Sequence, residues 1–298
     1  MIDLRYHIAS LVAIFLALGL GVLIGSTIVG DDVLVQQQKK MIDRLEEQFS
    51  TLKDREDTLV AENKKSTQII GDYENFSQTL LPTIVNNRLK GYQVAVVVTG
   101  SNDIPAGMLN AFSIAGANVV SKTVVLPNIS MNDSKVRNKL MEFYNLDKKA
   151  SRDTLRKKVA TSVVAAITNQ GDPNAIKSLQ ENGLVKFSGA YNVPVNGVVI
   201  VGGSEDLTIY FPDSFDQGLI DNLAKSTIKV YGTEVSEVKY SYMAKYQQSN
   251  ISTVDNINMG PGQISLILAM AGEPGNYGIK ATAKKFMPSL PVDYLGGQ

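Results

Sequence analysis

An uncharged apolar run from Ile8 to Val29 carries Ala9, Ala13, Ala17, Gly21 and Gly25 at every fourth position, and a charged helical pattern follows it directly. At about 1.5 Å per residue a helix of this length crosses a hydrocarbon core of about 30 Å. A spacing of four keeps the small side chains on one helix face, where two backbones can approach closely, and Gly21 with Gly25 completes a GxxxG pair. The run therefore predicts an uncleaved, self-associating transmembrane signal-anchor over residues 1–30. A cleaved signal peptide is the competing reading, because Arg5 supplies a basic start and Gly25, Ser26 and Thr27 a small-residue processing site. Against it, the run is longer than a signal h-region and stays apolar through Ile28 and Val29. The signal-anchor form places the N-terminus in the cytoplasm and the bulk of the chain outside, although Lys39, Lys40 and Arg44 after the span favour the reverse.

From Val33 to Leu81 there is no Pro and Gly71 is the sole Gly, and residues 31–87 read as a coiled-coil stalk. Leu45, Leu52, Leu59, Ser66, Tyr73 and Leu80 fall at d, and Ile42, Phe49, Glu56, Asn63, Ile70 and Ser77 at a, so the seam is apolar at both ends and polar in its middle. Asn63 opposite its own copy favours a parallel homodimer. A single amphipathic helix packed on its own domain is the alternative. Pro82 is expected to stop or kink the helix, and 86–91 to form a hinge.

Residues 88–298 alternate short apolar runs with Gly, Asn, Asp and Pro clusters, which predicts a three-layer α/β domain with a mainly parallel sheet. Strands are expected at Gln93–Thr99, Asn118–Val125, Gly197–Val201 and Thr227–Tyr231. Helices are expected up to Phe112, over Asp133–Tyr144 and Ser151–Thr168, near Asn174–Asn182, and over Ser214–Lys225. Ligands of such sheets favour the loops beyond the strand carboxyl ends, here Gly100, Ser101, Asn102 and Asp103, and Gly202, Gly203, Ser204, Glu205 and Asp206. Neither loop has phosphate-binding spacing, and ordinary capped turns are the plainer account. Asp103, Glu205, Asp206 and Asp255 could pair as acid and base, but no motif joins any two of them.

Other chemistry is excluded by composition. The chain balances 29 basic against 29 acidic residues, has no Cys, and has one His, His7, beside the span. Thiolate sites, His-based triads and a global nucleic-acid signal are absent. Lys148, Lys149, Arg152, Arg156, Lys157 and Lys158 form a basic cluster, with Lys149, Arg152 and Arg156 at i, i+3 and i+7 on one helix face, where an anionic envelope polymer or lipid surface could bind; a solvated face is the simpler reading. Tyr240, Tyr242 and Tyr246 suit either an aromatic contact surface or strand packing before a helix.

The opening MIDLRYHIASLVAIFLALGLGVLIGS and the C-terminal STVDNINMGPGQISLILAMAGEPGNYGIKATAKKFMPSLP together resemble the MctB-type family of copper transport proteins. The likeness spans essentially the whole chain and is strongest at Arg5, Gly21, Gly25, Ser26, Asp255, Asn256, Gly262, Gln263, Gly272, Tyr277, Gly278 and Pro288. The resemblance implies a bacterial envelope protein with a span, a coiled coil and an α/β domain, acting in copper transport or homeostasis. Copper is implied by that resemblance alone: the nine Met residues show no MxM or MxxM clustering. A coiled-coil envelope or cell-division scaffold that binds protein partners and no copper is the alternative function, and an enzyme using the sheet-edge acids is a third. Near Gly260–Gly262 and Gly272–Gly275 the glycines and prolines bracket an apolar helix, Gln263–Met270, that would close the sheet.

Overall fold

The computed structural model describes residues 4–290 except 101, 102, 148, 169, 170 and 192, and it leaves the side chains of 27–32 undescribed. Two compact units, 1–71 and 72–298, make up the chain. The first belongs to helix α1, which is continuous from Leu4 to Val85. Its portion Leu4–Ser26 is long and apolar enough to cross a membrane, and none of it is buried. Further along, Ile42, Leu45, Phe49, Leu52, Leu59 and Ile70 are all more than half exposed.

The second unit takes in the last turns of α1. Pro82 does not stop the helix, which runs on to Val85. Leu81, Ile84 and Val85 are buried, and their packing holds the turn that loses a backbone hydrogen bond at Pro82. Beyond it come β1 (Gln93–Val98), α2 (Ala106–Ile114), β2 (Asn118–Val125), α3 (Ser134–Phe143), α4 (Arg152–Ile167), α5 (Pro173–Glu181) and β3 (Val185–Gly189). Then follow β4 (Gly197–Val201), α6 (Gln217–Leu223), β5 (Lys229–Thr233), α7 (Met243–Gln248), β6 (Ser252–Val254), α8 (Gly260–Ala271) and β7 (Asn276–Tyr277).

The strands form one sheet in the order β3-β2-β1-β4-β5-β6-β7. All neighbours are parallel except β3, which runs antiparallel along β2. Alternation along β1 sends Ala95 and Val97 into one core, with Leu155, Val159 and Val163 of α4, Leu219 of α6 and Tyr246 of α7. Val94, Val96 and Val98 enter the other, with Leu81 and Val85 of α1, Phe112 of α2 and Ile267 of α8. A sheet buried on both faces accounts for the unbroken apolar runs at β1 and β4.

The expected strand Thr227–Tyr231 begins and ends two residues later, at Lys229–Thr233. The first three residues of the helix expected at 214–225 belong to a π-helical turn, Pro212–Asp216, which leads into α6. β3, β6 and β7 carry no alternation long enough to mark them in the sequence.

Candidate functional site

β1 and β4 are parallel neighbours, but the chain leaves β1 through α2 toward β2 and leaves β4 through α6 toward β5. The connections part at this point and open a crevice at the strand carboxyl ends. The two loops anticipated there come together. A Cβ on Gly100 would overlap the Gly203 carbonyl, so the loops touch backbone to backbone. Gly202 is pressed against Tyr242 and Tyr246, and Gly203, at φ 80°, lies against Glu234 and Val238. Glycine is needed at Gly100 and Gly202 because backbone and ring atoms occupy the space of a side chain, and at Gly203 because its positive φ strains other residues and the Val238 and Glu234 side chains crowd it.

Above these glycines lies a cleft of about 380 Å³, with Ser204, Glu205, Asp206, Val235, Glu237 and Val238 in its lining. Ser204 is buried and donates to the Asp206 carbonyl at 2.8 Å while accepting from the Asp206 N–H at 3.0 Å. Glu205 accepts from the Lys239 N–H at 3.3 Å. Asp206 caps a short 3-10 turn through the N–H and hydroxyl of Thr208, at 2.8 and 2.7 Å, and these bonds hold its carboxyl below the ordinary carboxylate range. Ser101 and Asn102 lie outside the described residues. Asp103 is exposed at the start of the connection to α2.

Two buried carboxylates stand directly behind the glycine wall, and neither was among the residues singled out from the sequence. Asp216 accepts from the hydroxyls of Thr99, at 2.7 Å, and Tyr246, and forms no ion pair among the described residues. Burial pushes its carboxyl up to about 7 and the Tyr246 phenol well above its usual value. Glu234 follows β5 and is fully buried, accepting from Ser241 Oγ at 2.5 Å, the Tyr242 N–H at 2.9 Å and Lys280 Nζ at 2.6 Å. An acid one residue beyond a strand is the signal that could have found Glu234. The expected strand end at Tyr231 concealed it.

Asp255, placed at the end of β6, accepts from the backbone N–H groups of Ile279 and Lys280 at 2.7 and 3.1 Å, and Gly278, at φ 140°, lies flat against its carboxylate. Gly262, in the first turn of α8, abuts the backbone of Asn256. Gln263 fills the space a side chain on Gly107 would need and accepts from Gln78 at 3.3 Å. Glu74 of α1 accepts from the Gly260 N–H at 2.9 and 3.0 Å, capping α8. The Tyr277 hydroxyl donates to the Glu273 carbonyl at 3.0 Å. These residues tie β6, α8 and β7 to one another and to α1.

The basic cluster does not form one face. α4 begins at Arg152, with Ser151 as its cap, so Lys149 is not on the helix, and Lys148 lies outside the described residues. Arg156 is buried, donating to the carbonyls of Ile129 and Ser130 at 3.0 and 2.7 Å and stacking 3.6 Å above the Phe211 ring. Tyr242 and Tyr246 are core residues and Tyr240 is half-buried, so the three tyrosines form no exposed aromatic surface.

A family model described as copper transport outer membrane protein, MctB, matches residues 1–288. The chain belongs to the MctB family. Proteins named copper transporter MctB from Mycobacterium bovis and Mycobacterium tuberculosis are each 24% identical to it over 317 residues, covering 93% of this chain and 96% of the relative. The resemblance drawn from the two chain ends and the full-length match agree.

The MctB name raises the question of where a copper ion could sit. Copper(I) favours thiolate, thioether and imidazole donors. Met131, Met141 and Met243 are buried in the core on one face of the sheet, and Met108 and Met270 in the core on the other. Among the described residues, no group of three or more His, Cys, Asp or Glu is placed to hold a metal ion. Met287 is partly buried against the second core and Met259 is half-buried, so the thioethers of the α/β unit are divided between two cores and its edge, an arrangement that does not fit a soft-ligand copper site.

Proposed function

We propose that this chain is a membrane-anchored, non-catalytic protein of bacterial copper homeostasis whose α/β domain binds a protein partner of the envelope at the switch-point cleft. The family match over residues 1–288 carries this reading. A single span encloses no path for an ion, and the buried thioethers leave the domain without a soft cage for one. Copper therefore moves through a partner. A non-catalytic role is supported by the composition: His7 is the sole His and there is no Cys, so the residues that most often transfer protons or attack carbonyls near neutral pH are missing from the domain. The N-terminal side of the span lies in the cytoplasm and the domain outside, a reading that Arg5 before the span supports.

The test is cell-associated copper in a strain lacking the chain. Loss should raise copper content and lower copper tolerance. The full chain should restore both, whereas a chain lacking residues 4–26, or one carrying Glu205→Arg with Glu237→Arg at the exposed rim of the cleft, should not. Unchanged copper content together with a division or envelope defect would overturn the copper role in favour of a copper-independent scaffold. Orientation is read separately: Lys177→Cys introduces the only thiol at an exposed site, and labelling of intact cells by an impermeant maleimide is the expected result.

A further inference from the structure

The geometry points to a second copy of this chain, parallel and in register, as the occupant of the exposed seam on α1. Ile42, Leu45, Phe49, Leu52, Leu59 and Ile70 lie 55–73% exposed along one heptad stripe, a face that water leaves unstable unless something apolar covers it. The polar middle of the stripe decides what that is. In a parallel, in-register pair each a side chain enters a hole formed by the neighbouring d, g, a and d residues of the other helix. For Glu56 those residues are Leu52, Arg55, Glu56 and Leu59, so each Glu56 meets Arg55 of the other copy, and the twofold repeats the pair. One heptad on, Asn63 meets Asn63. An antiparallel pair sets a against d and breaks both matches. A foreign helix would have to reproduce this polar register, whereas a second copy carries it already.

Continuity of the helix extends the same frame. α1 is unbroken from Leu4 to Val85, so counting back in sevens from Ile42 and Leu45 reaches Gly21 at a and Ala17 at d. Two of the five small side chains that permit close approach within the bilayer thus fall on core positions of the same heptad frame, with Ala13 at g and Gly25 at e flanking them and Ala9 at c off the stripe.

The test uses the full chain in detergent, which has no native cysteine to interfere. Ile42→Cys and Ile70→Cys, made singly, should each cross-link to its own copy in high yield, and Asp54→Cys, on the opposite side of the stripe, should not. Glu56→Arg should weaken the dimer about tenfold, as two opposite-charge pairs become like-charge ones. Adding Arg55→Glu should restore it, since the swap recreates the pairs with their signs exchanged; a merely structural loss would not be rescued. Absence of cross-linking at both heights, or equal cross-linking at Asp54→Cys, would overturn the proposal. Cross-linking at one height alone would show a different register and overturn it equally.

Discussion

Asp216 accepts from two hydroxyls and has no counter-charge among the described residues, and burial raises its pKa from the usual 3.8 to about 7. Between about pH 4 and 7 the folded chain keeps a proton that the unfolded chain has released, so stability falls as pH rises through that interval and levels off above it. Replacing Asp216 by Asn removes the slope. In chemical denaturation the variant should match the parent near pH 4 and exceed it at pH 8 by up to about 4 kcal/mol. Gly278 offers the opposite lesson. Its φ of 140° and its contact with the Asp255 carboxylate leave no room for a methyl group, so Gly278→Ala should cost about 2–5 kcal/mol. Gly91, also at positive φ but with open space around it, should lose only about 1–2 kcal/mol on the same change. Individual residues were legible where chain position alone defined their setting, as at the loops after β1 and β4. Arg156 was not, because its partners, the carbonyls of Ile129 and Ser130 and the Phe211 ring, lie in other segments and turn a surface charge into a core one.

Elements were legible in proportion to their burial and length. β1, β2 and β4 stand out as apolar, β-branched runs bounded by turn residues, because a central parallel strand is covered on both faces. β6 and β7, of 3 and 2 residues, are too short to show a period, and the edge strand β3 exposes most of its side chains. α8 was legible from its glycines and prolines, but its cap was not, since Glu74 comes from a different helix, 186 residues away in sequence. Glu74→Ala should therefore cost about 1 kcal/mol, and hydrogen exchange should speed up in the first turn of α8 while remaining unchanged in α4. Equal acceleration in both helices would mean that Glu74 supports the whole fold rather than this one terminus.

For the whole molecule, the alternation of strands and helices predicted the three-layer class, and the strand order came only from the structure. The lower boundary of the folded unit illustrates the difference. Pro82 and the polar stretch after it suggest a domain beginning at 88, yet Leu81, Ile84 and Val85 are 1%, 8% and 0% exposed within the unit that starts at Asp72. A fragment of residues 72–290 should unfold cooperatively with a native near-ultraviolet dichroism signal. A fragment of 88–290 should lose that signal, because removing these three side chains uncovers a face of the sheet.

That face is roofed by the first and the last helical pieces of the unit, α1 and α8, with α2 beside them. A ribosome delivers these pieces far apart in time: Gln78 waits for Gln263, 185 residues later. During synthesis the end of α1 emerges with its apolar side bare, and no early fragment can cover it. Folding is therefore postponed until almost all of the chain has emerged, as expected when contacts are distant in sequence. Premature termination or cleavage before Gly260 should leave a sticky half-sheet for quality-control proteases, rather than a smaller working domain.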